Sequence, residues 1–416
     1  MKNSMNRIGF SNKITIAIAV IFLLKTIATV FIVPVSTSSD FGNWVYLASD
    51  MYSQLVSGVV PSIEWAGVYA GMGLFLAPFY GAWRMLPISH PTIAQALNSQ
   101  LLADRVPLVF FMKLPIILFD LFAGLLIASI ARNISPRNVT TKAFFVWYLN
   151  PYAFYLMEYM GTFDIVPTAI VLVSVLFAMR RKWTAAGFSL SVAALLRLFP
   201  IIAFPAFVFY VYRRHLPRAT IQLCLSFAFV MLTAVLVQGL ALGSLNAVLN
   251  SIINMLYKAP WLNLFYAFPI NDYLTYTPII VAAQIYLIAA LWKTHNNSIA
   301  YSVLASLLAL MLASYHQPYH FIWVVPLLSL YFAINEDSTF LFSTIFVGAF
   351  LASLGFDTTN STLIILQPLF AAIFYGAKAA YLIKINWEAI NSRVSVLGTI
   401  SNRRAFFNIV ESSRAQ

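Results

Sequence analysis

The 416-residue sequence predicts an all-α fold, a polytopic transmembrane helical bundle of about 11–13 spans. Three observations predict it. Hydrophobic residues make up 61% of the chain and charged residues only 9%, against roughly 25% charged in soluble domains. Apolar windows of the roughly 20 residues that cross a bilayer recur from Lys13 to Lys384. Most of the 25 basic residues fall on alternate loops, the asymmetry that orients membrane proteins. No window is left for an attached soluble catalytic module, so an active site has to be built from loops and helix ends.

The elements follow in order. The basic N-terminus MKNSMNRIGFSNK precedes an apolar run too long for a signal-peptide core, so 14–35 is expected as a retained first span. Further spans are expected at about 106–131, 143–158, 163–179, 184–197, 198–212, 219–242, 276–292, 298–314, 320–334, 339–356 and 361–383. Both termini are then cytoplasmic. Arg180, Arg181 and Lys182, and Arg213, Arg214 and Arg218, fall on the cytoplasmic side, whereas Asp40, Asp50, Glu64, Glu158 and Asp164 fall on the outer side. The segments 184–197 and 198–212 are each too short to cross alone, so a hairpin broken at Arg197–Pro200 and buried among other helices is expected.

Residues 36–105 form a long first extracytoplasmic loop. Within it, WVYLASDMYSQLV (44–56) carries Trp44, Leu47, Ala48, Met51 and Leu55 at helical spacing, which predicts a helix lying on the membrane surface. The apolar stretch GVYAGMGLFLAPFYGAWRMLP (67–87) would invert every later basic loop if it crossed, so it is read as re-entrant or interfacial. Residues 1–385 thus form a single transmembrane domain, and 386–416 a polar cytoplasmic tail. The one cysteine, Cys224, excludes a disulfide framework. The net charge of +12 is assigned to cytoplasmic loops and not to nucleic-acid binding.

Charged residues inside apolar runs are costly and need partners. Arg197, in VAALLRLFPIIAFP, requires either a salt bridge to an intramembrane acid such as Asp120 or an anion held at the outer rim. Lys113 and Asp120 in KLPIILFD share a helix face two turns apart, too far for a direct pair, and both are expected to face the interior. Lys25, in mid-span, is expected to have a buried partner. SYHQPYHFIWVVPLL (314–328) crowds His316, Gln317 and His320 at the outer end of a span. With no cysteine and no H-E-x-x-H nearby, these residues suit hydrogen bonds to a phosphate or sugar hydroxyl better than a metal.

An outward carboxylate, cationic or imidazole donors at the same expected depth, and many aromatic residues suit glycosyl transfer from a lipid-phosphate sugar. Cations stabilise the phosphate leaving group. A carboxylate takes the acceptor proton. One base without a covalent intermediate inverts the anomeric carbon. The substrate supplies the leaving-group charge, so neither metal nor cofactor is required.

Four stretches carry a family resemblance: SDFGNW (39–44), KLPIILFDLFAGLLI (113–127), WYLNPYAFYLMEYMGTFDIVPTAIVLVSVLF (147–177) and LLRLFPIIAFP (195–205), with SYHQPYHFIWVVPLL more loosely. The chain resembles the GT-C superfamily of polytopic glycosyltransferases, and within it the polyprenyl-phosphate-mannose-dependent mannosyltransferases, including the GPI-anchor enzymes and their prokaryotic relatives. The resemblance implies a general base from the first outer loop, which maps onto Asp40, and a cation in the LRLFP hairpin, which maps onto Arg197. Many members carry two acids as D-x-D, whereas Phe41 and Gly42 follow Asp40 here, so Asp50, Glu64 and Asp164 stand as substitutes. The expected partners are a polyprenyl-phosphate sugar donor, a glycan or lipid-linked acceptor and membrane lipids. A prokaryotic cell membrane is favoured over an endoplasmic reticulum. The rival class is a transporter or lipid flippase, for which buried charges would line a path; no internal repeat of the kind common in transporters is visible.

Overall fold

A largely apolar sequence, interrupted by Lys113 and Asp120, builds the longest described element, α5 (Leu102–Ile134), on which the rest is assembled. The computed structural model describes residues 11–32, 40–59, 63–99, 101–135, 137–159, 161–197, 199–214, 217–241, 243–246, 248–250, 299–313 and 322–335. Among these the regular structure is helical and no strand occurs. Among the described residues three helices are long and apolar enough to cross a membrane: Asn12–Phe31, Leu102–Ile134 and Pro217–Leu240. The expected spans between 276 and 292 and beyond 335 lie outside the described residues.

In chain order, α1 (Asn12–Ile27) runs into a π-helical turn (Ala28–Ile32). The first long connection holds α2 (Asp40–Ser57), α3 (Ile63–Arg84) and the short α4 (Ile93–Asn98). After α5 come α6 (Arg137–Tyr148), α7 (Pro151–Phe154) and a second π turn (Tyr155–Tyr159). Then follow α8 (Ile165–Met179), α9 (Trp183–Leu196), α10 (Pro200–Arg214), α11 (Pro217–Ala241), α12 (Ile299–Ala313) and α13 (Val325–Asn335).

Helix α5 packs against α3, α6, α8 and α13, α8 packs against α9, and α9 against α11. Its own residues follow that pattern: Leu108, Met112, Ile116, Ala123, Ile127 and Ile130 are fully enclosed. Helices α1 and α11 are the opposite case. Leu23, Leu24, Leu225, Phe229, Leu232 and Val237 stand exposed, an apolar surface that water would not tolerate and lipid tails would.

The helix expected at 44–56 is present as α2, and of its apolar stripe Trp44, Leu47, Ala48 and Met51 are buried while Leu55 is exposed. It is buried against α3, with which it forms a helical hairpin closed by Tyr52 on the Tyr80 ring, 5.7 Å between centroids. The 67–87 stretch is the body of α3, which is not among the three helices long and apolar enough to cross. Helix α3 also reaches the end of α9: a Cβ on Gly71 would lie 2.1 Å from the Leu195 carbonyl oxygen. Gly71→Ala therefore overpacks a backbone contact and is expected to cost about 2 kcal/mol. A fall in the thermal midpoint of the purified protein in micelles checks it, and an unchanged midpoint would place α3 away from α9.

One sequence expectation changes in detail and another is met. The span expected over 143–158 is not one helix, because Pro151 removes a backbone donor and Asn150 Oδ1 accepts from Ala153 N at 3.3 Å, restarting the chain as α7. The break expected at Arg197–Pro200 is found: α9 ends at Leu196, Arg197 is extended and α10 begins at Pro200.

Candidate functional site

Among the described residues two charged clusters interrupt the apolar interior, and the first turn of α2 and the turn at 161–164 connect them. The first cluster is built on α5. Asp120, buried midway along it, accepts a hydrogen bond from Lys25 Nζ of α1 through Oδ2. Lys25 also pairs with Glu158 Oε1 at 3.1 Å, donates to the Tyr148 carbonyl at 3.4 Å and lies 4.5 Å from the centre of the Tyr148 ring. Trp147 Nε1 donates to the Asp120 carbonyl at 3.1 Å, fixing α6 to α5. The mid-span lysine thus has the buried partner its sequence position requires. Glu158 is enclosed, with 1% of its side chain exposed. It is carried on the π turn Tyr155–Tyr159.

Lys113 lies two turns before Asp120 on α5 and is fully buried. Its ammonium donates to the Glu158 carbonyl and lies 5.3 Å from the centre of the Phe41 ring. An ammonium has three donors, and a single carbonyl leaves room for a further acceptor. As the sequence spacing implies, Lys113 and Asp120 face inward without meeting.

The second cluster is built on the break after α9. Arg197, buried, donates from Nε to Asp164 Oδ1 at 2.6 Å, and Trp323 Nε1 donates to Asp164 Oδ2 at 2.8 Å. Phe199 stacks on Trp323 with ring centres 4.1 Å apart, locking the start of α10 to the segment before α13. The Arg197 guanidinium also lies 5.0 Å from the Trp44 ring of α2. Of the partners open to Arg197 at the sequence level, the acid is Asp164 and not Asp120, which serves Lys25.

The turn GTFD (161–164) joins these groups. Gly161 has φ +71, a conformation that favours glycine, and a Cβ there would lie 2.7 Å from Phe41. Phe163 stacks on Phe41 at 6.2 Å and meets Trp44 edge-on at 5.9 Å. The Thr162 hydroxyl is buried and has no hydrogen-bond partner among the described residues. The start of α2, whose first residue is Asp40, is thereby seated between Lys113 and Arg197.

The other sequence candidates separate from this group or fall outside it. Asp50 is exposed on α2. Asp164 precedes α8 as expected, but both of its oxygens are engaged, which suits a structural anion more than a free base. His316, Gln317 and His320 lie outside the described residues. Among the described residues no three His, Cys, Asp or Glu side chains converge as a metal-ligand set would. Sequence reasoning missed Trp323 and Thr162. Trp323 lies 159 residues from Asp164, and no local pattern signals such a pairing. No family model matches the chain, and no curated protein matches it.

Proposed function

We propose that the chain is an inverting membrane glycosyltransferase that moves a sugar, mannose in this reading, from a polyprenyl-phosphate donor to a lipid-linked or glycan acceptor on the extracytoplasmic face. The observation that carries the proposal is the seating of the α2 start between two buried cations, through Phe41 on Lys113 and Trp44 on Arg197. In this reading Asp40, the first residue of α2, serves as the base beside a cation for the phosphate, as transfer from an anionic leaving group requires.

The roles divide by what each group already holds. Lys113, with one carbonyl acceptor, is the cation for the donor phosphate. Arg197 has its Nε on Asp164, so its role is to position the α9–α10 break and the α2 aromatic rather than to take the phosphate alone. Asp40 takes the proton of the acceptor hydroxyl as that oxygen attacks the anomeric carbon and the sugar–phosphate bond breaks, leaving the electron pair on polyprenyl phosphate. His316, Gln317 and His320 supply further donors to the phosphate or the sugar in this reading.

The buried ions around Lys25 favour a second reading, a carrier or flippase for a lipid-linked sugar, because ionisable groups at membrane depth commonly line transport paths. One experiment separates the two. The full chain in liposomes is given polyprenyl-phosphate mannose, glucose and related donors with a crude lipid-linked acceptor, and free polyprenyl phosphate is measured. Release with one sugar donor is the expected result. Translocation of intact donor with no release from any of them supports the carrier instead.

A further inference from the structure

The transferase reading gives Asp120 and Glu158 no task, yet their arrangement is incomplete as drawn by the ion pairs alone. Both carboxyls are enclosed, with 2% and 1% of their side chains exposed. Each gives one oxygen to Lys25: Oδ2 of Asp120 and Oε1 of Glu158. The remaining two, Asp120 Oδ1 and Glu158 Oε2, are buried with no hydrogen-bond partner. Both carboxyls meet the same ammonium, Lys25 Nζ, so they lie side by side in one enclosed site. Two ionised carboxylates cannot satisfy one another, since both only accept. Like charges this close in an enclosed site disfavour joint ionisation.

The surrounding donors are already committed. Lys25, from α1, is the sole cation that reaches the carboxyl oxygens among the described residues. Lys113, from α5, meets Glu158 at its backbone carbonyl and not at its carboxyl. From α6, the Trp147 indole goes to the Asp120 carbonyl, and Tyr148 offers Lys25 its ring face and its carbonyl. None of these supplies a donor to the orphan oxygens.

We infer that Asp120 and Glu158 form a proton-binding pair, the two carboxyls together holding one proton and one negative charge, which Lys25 balances. A proton on one carboxyl turns an acceptor-only oxygen into a donor that the neighbouring carboxyl can accept. It also removes the second buried anion, whose isolation in the interior would be costly. The pair links three elements, α1 through Lys25, α5 through Asp120 and the π turn through Glu158. The inference stands apart from the transferase reading, because it concerns the state of two carboxyls and not turnover. Where that reading also holds, the pair leaves the charge of Lys113 unopposed on the other side of the Glu158 peptide, free to meet an anion.

Infrared spectroscopy of the full chain reconstituted in lipid tests it directly at neutral pH. A carboxylic-acid C=O band that shifts in heavy water is expected in the wild-type protein. It is expected to vanish in Asp120→Asn and in Glu158→Gln, each of which leaves a single carboxylate for Lys25. Asp120→Glu keeps an acid in place and is expected to shift the frequency of the band. The amide band of the same spectrum reports whether each variant is folded. Absence of the acid band in the wild type, its persistence in both single variants, or its removal by added sodium or potassium chloride overturns the inference; the last outcome makes the pair a cation site. The wild-type spectrum decides even where a variant fails to fold.

Discussion

Arg197→Met is expected to strand the Asp164 carboxylate and to cost about 4 kcal/mol, since removing one partner of a buried ion pair leaves an uncompensated charge. Asp164 is fully enclosed and has 2.6 Å and 2.8 Å contacts to Arg197 and Trp323, so water cannot replace the lost cation. A loss of that size is a large share of the roughly 5–15 kcal/mol that holds a typical fold. The variant should therefore unfold or aggregate on extraction into detergent. The double variant Arg197→Met, Asp164→Leu removes both charges and is expected to recover most of the loss, because apolar replacements of a buried pair are often close to neutral. Recovery stays partial, as the Trp323 indole loses its acceptor, a deficit of about 1–3 kcal/mol. Thermal midpoints of the single and double variants, measured side by side, check this. A single variant as stable as the wild type would contradict the pairing.

Several of these relations were legible in the sequence because membrane burial makes charge expensive. A lysine in the middle of IFLLKTIATV has to be paired, and Lys25 is. The break between α9 and α10 was readable from the basic runs RRK and RRHLPR on either side, which require the chain to return to its starting face within too few residues for two full spans. The α2 helix was readable from its stripe of apolar residues.

Partner identity was not legible. Lys25 and Asp120 are 95 residues apart, and Asp164 and Trp323 are 159 apart, so periodicity on one helix says nothing about which charge meets which. The sequence reading placed Glu158 at the end of a single span over 143–158. The restart at Pro151 and the π turn that follows change the direction of every later side chain in that segment. Asp164 illustrates a different limit. Its place ahead of a span fits a base at the outer rim equally well, and only the two contacts on its oxygens identify it as the counter-ion of Arg197.

Asp40→Asn carries the largest expected effect on activity. A general base contributes about 10²–10⁴ to the rate, so turnover of the lipid-phosphate donor should fall by roughly that factor. Asn is as good as Asp at the start of a helix, so the α2 fold and its docking through Phe41 and Trp44 should be retained. Donor affinity should change little, because in this account the phosphate is held by Lys113 and not by Asp40. A low rate with a normal KM would therefore separate a catalytic loss from a structural one.

The most direct measurement follows one labelled donor, polyprenyl-phosphate mannose, through the wild-type protein and Asp40→Asn in the same liposomes, and records product yield with the configuration of the new glycosidic bond. The account predicts an inverted linkage from the wild type and a loss of at least about 100-fold in the folded variant. Retained configuration, or wild-type yield from folded Asp40→Asn, would contradict it.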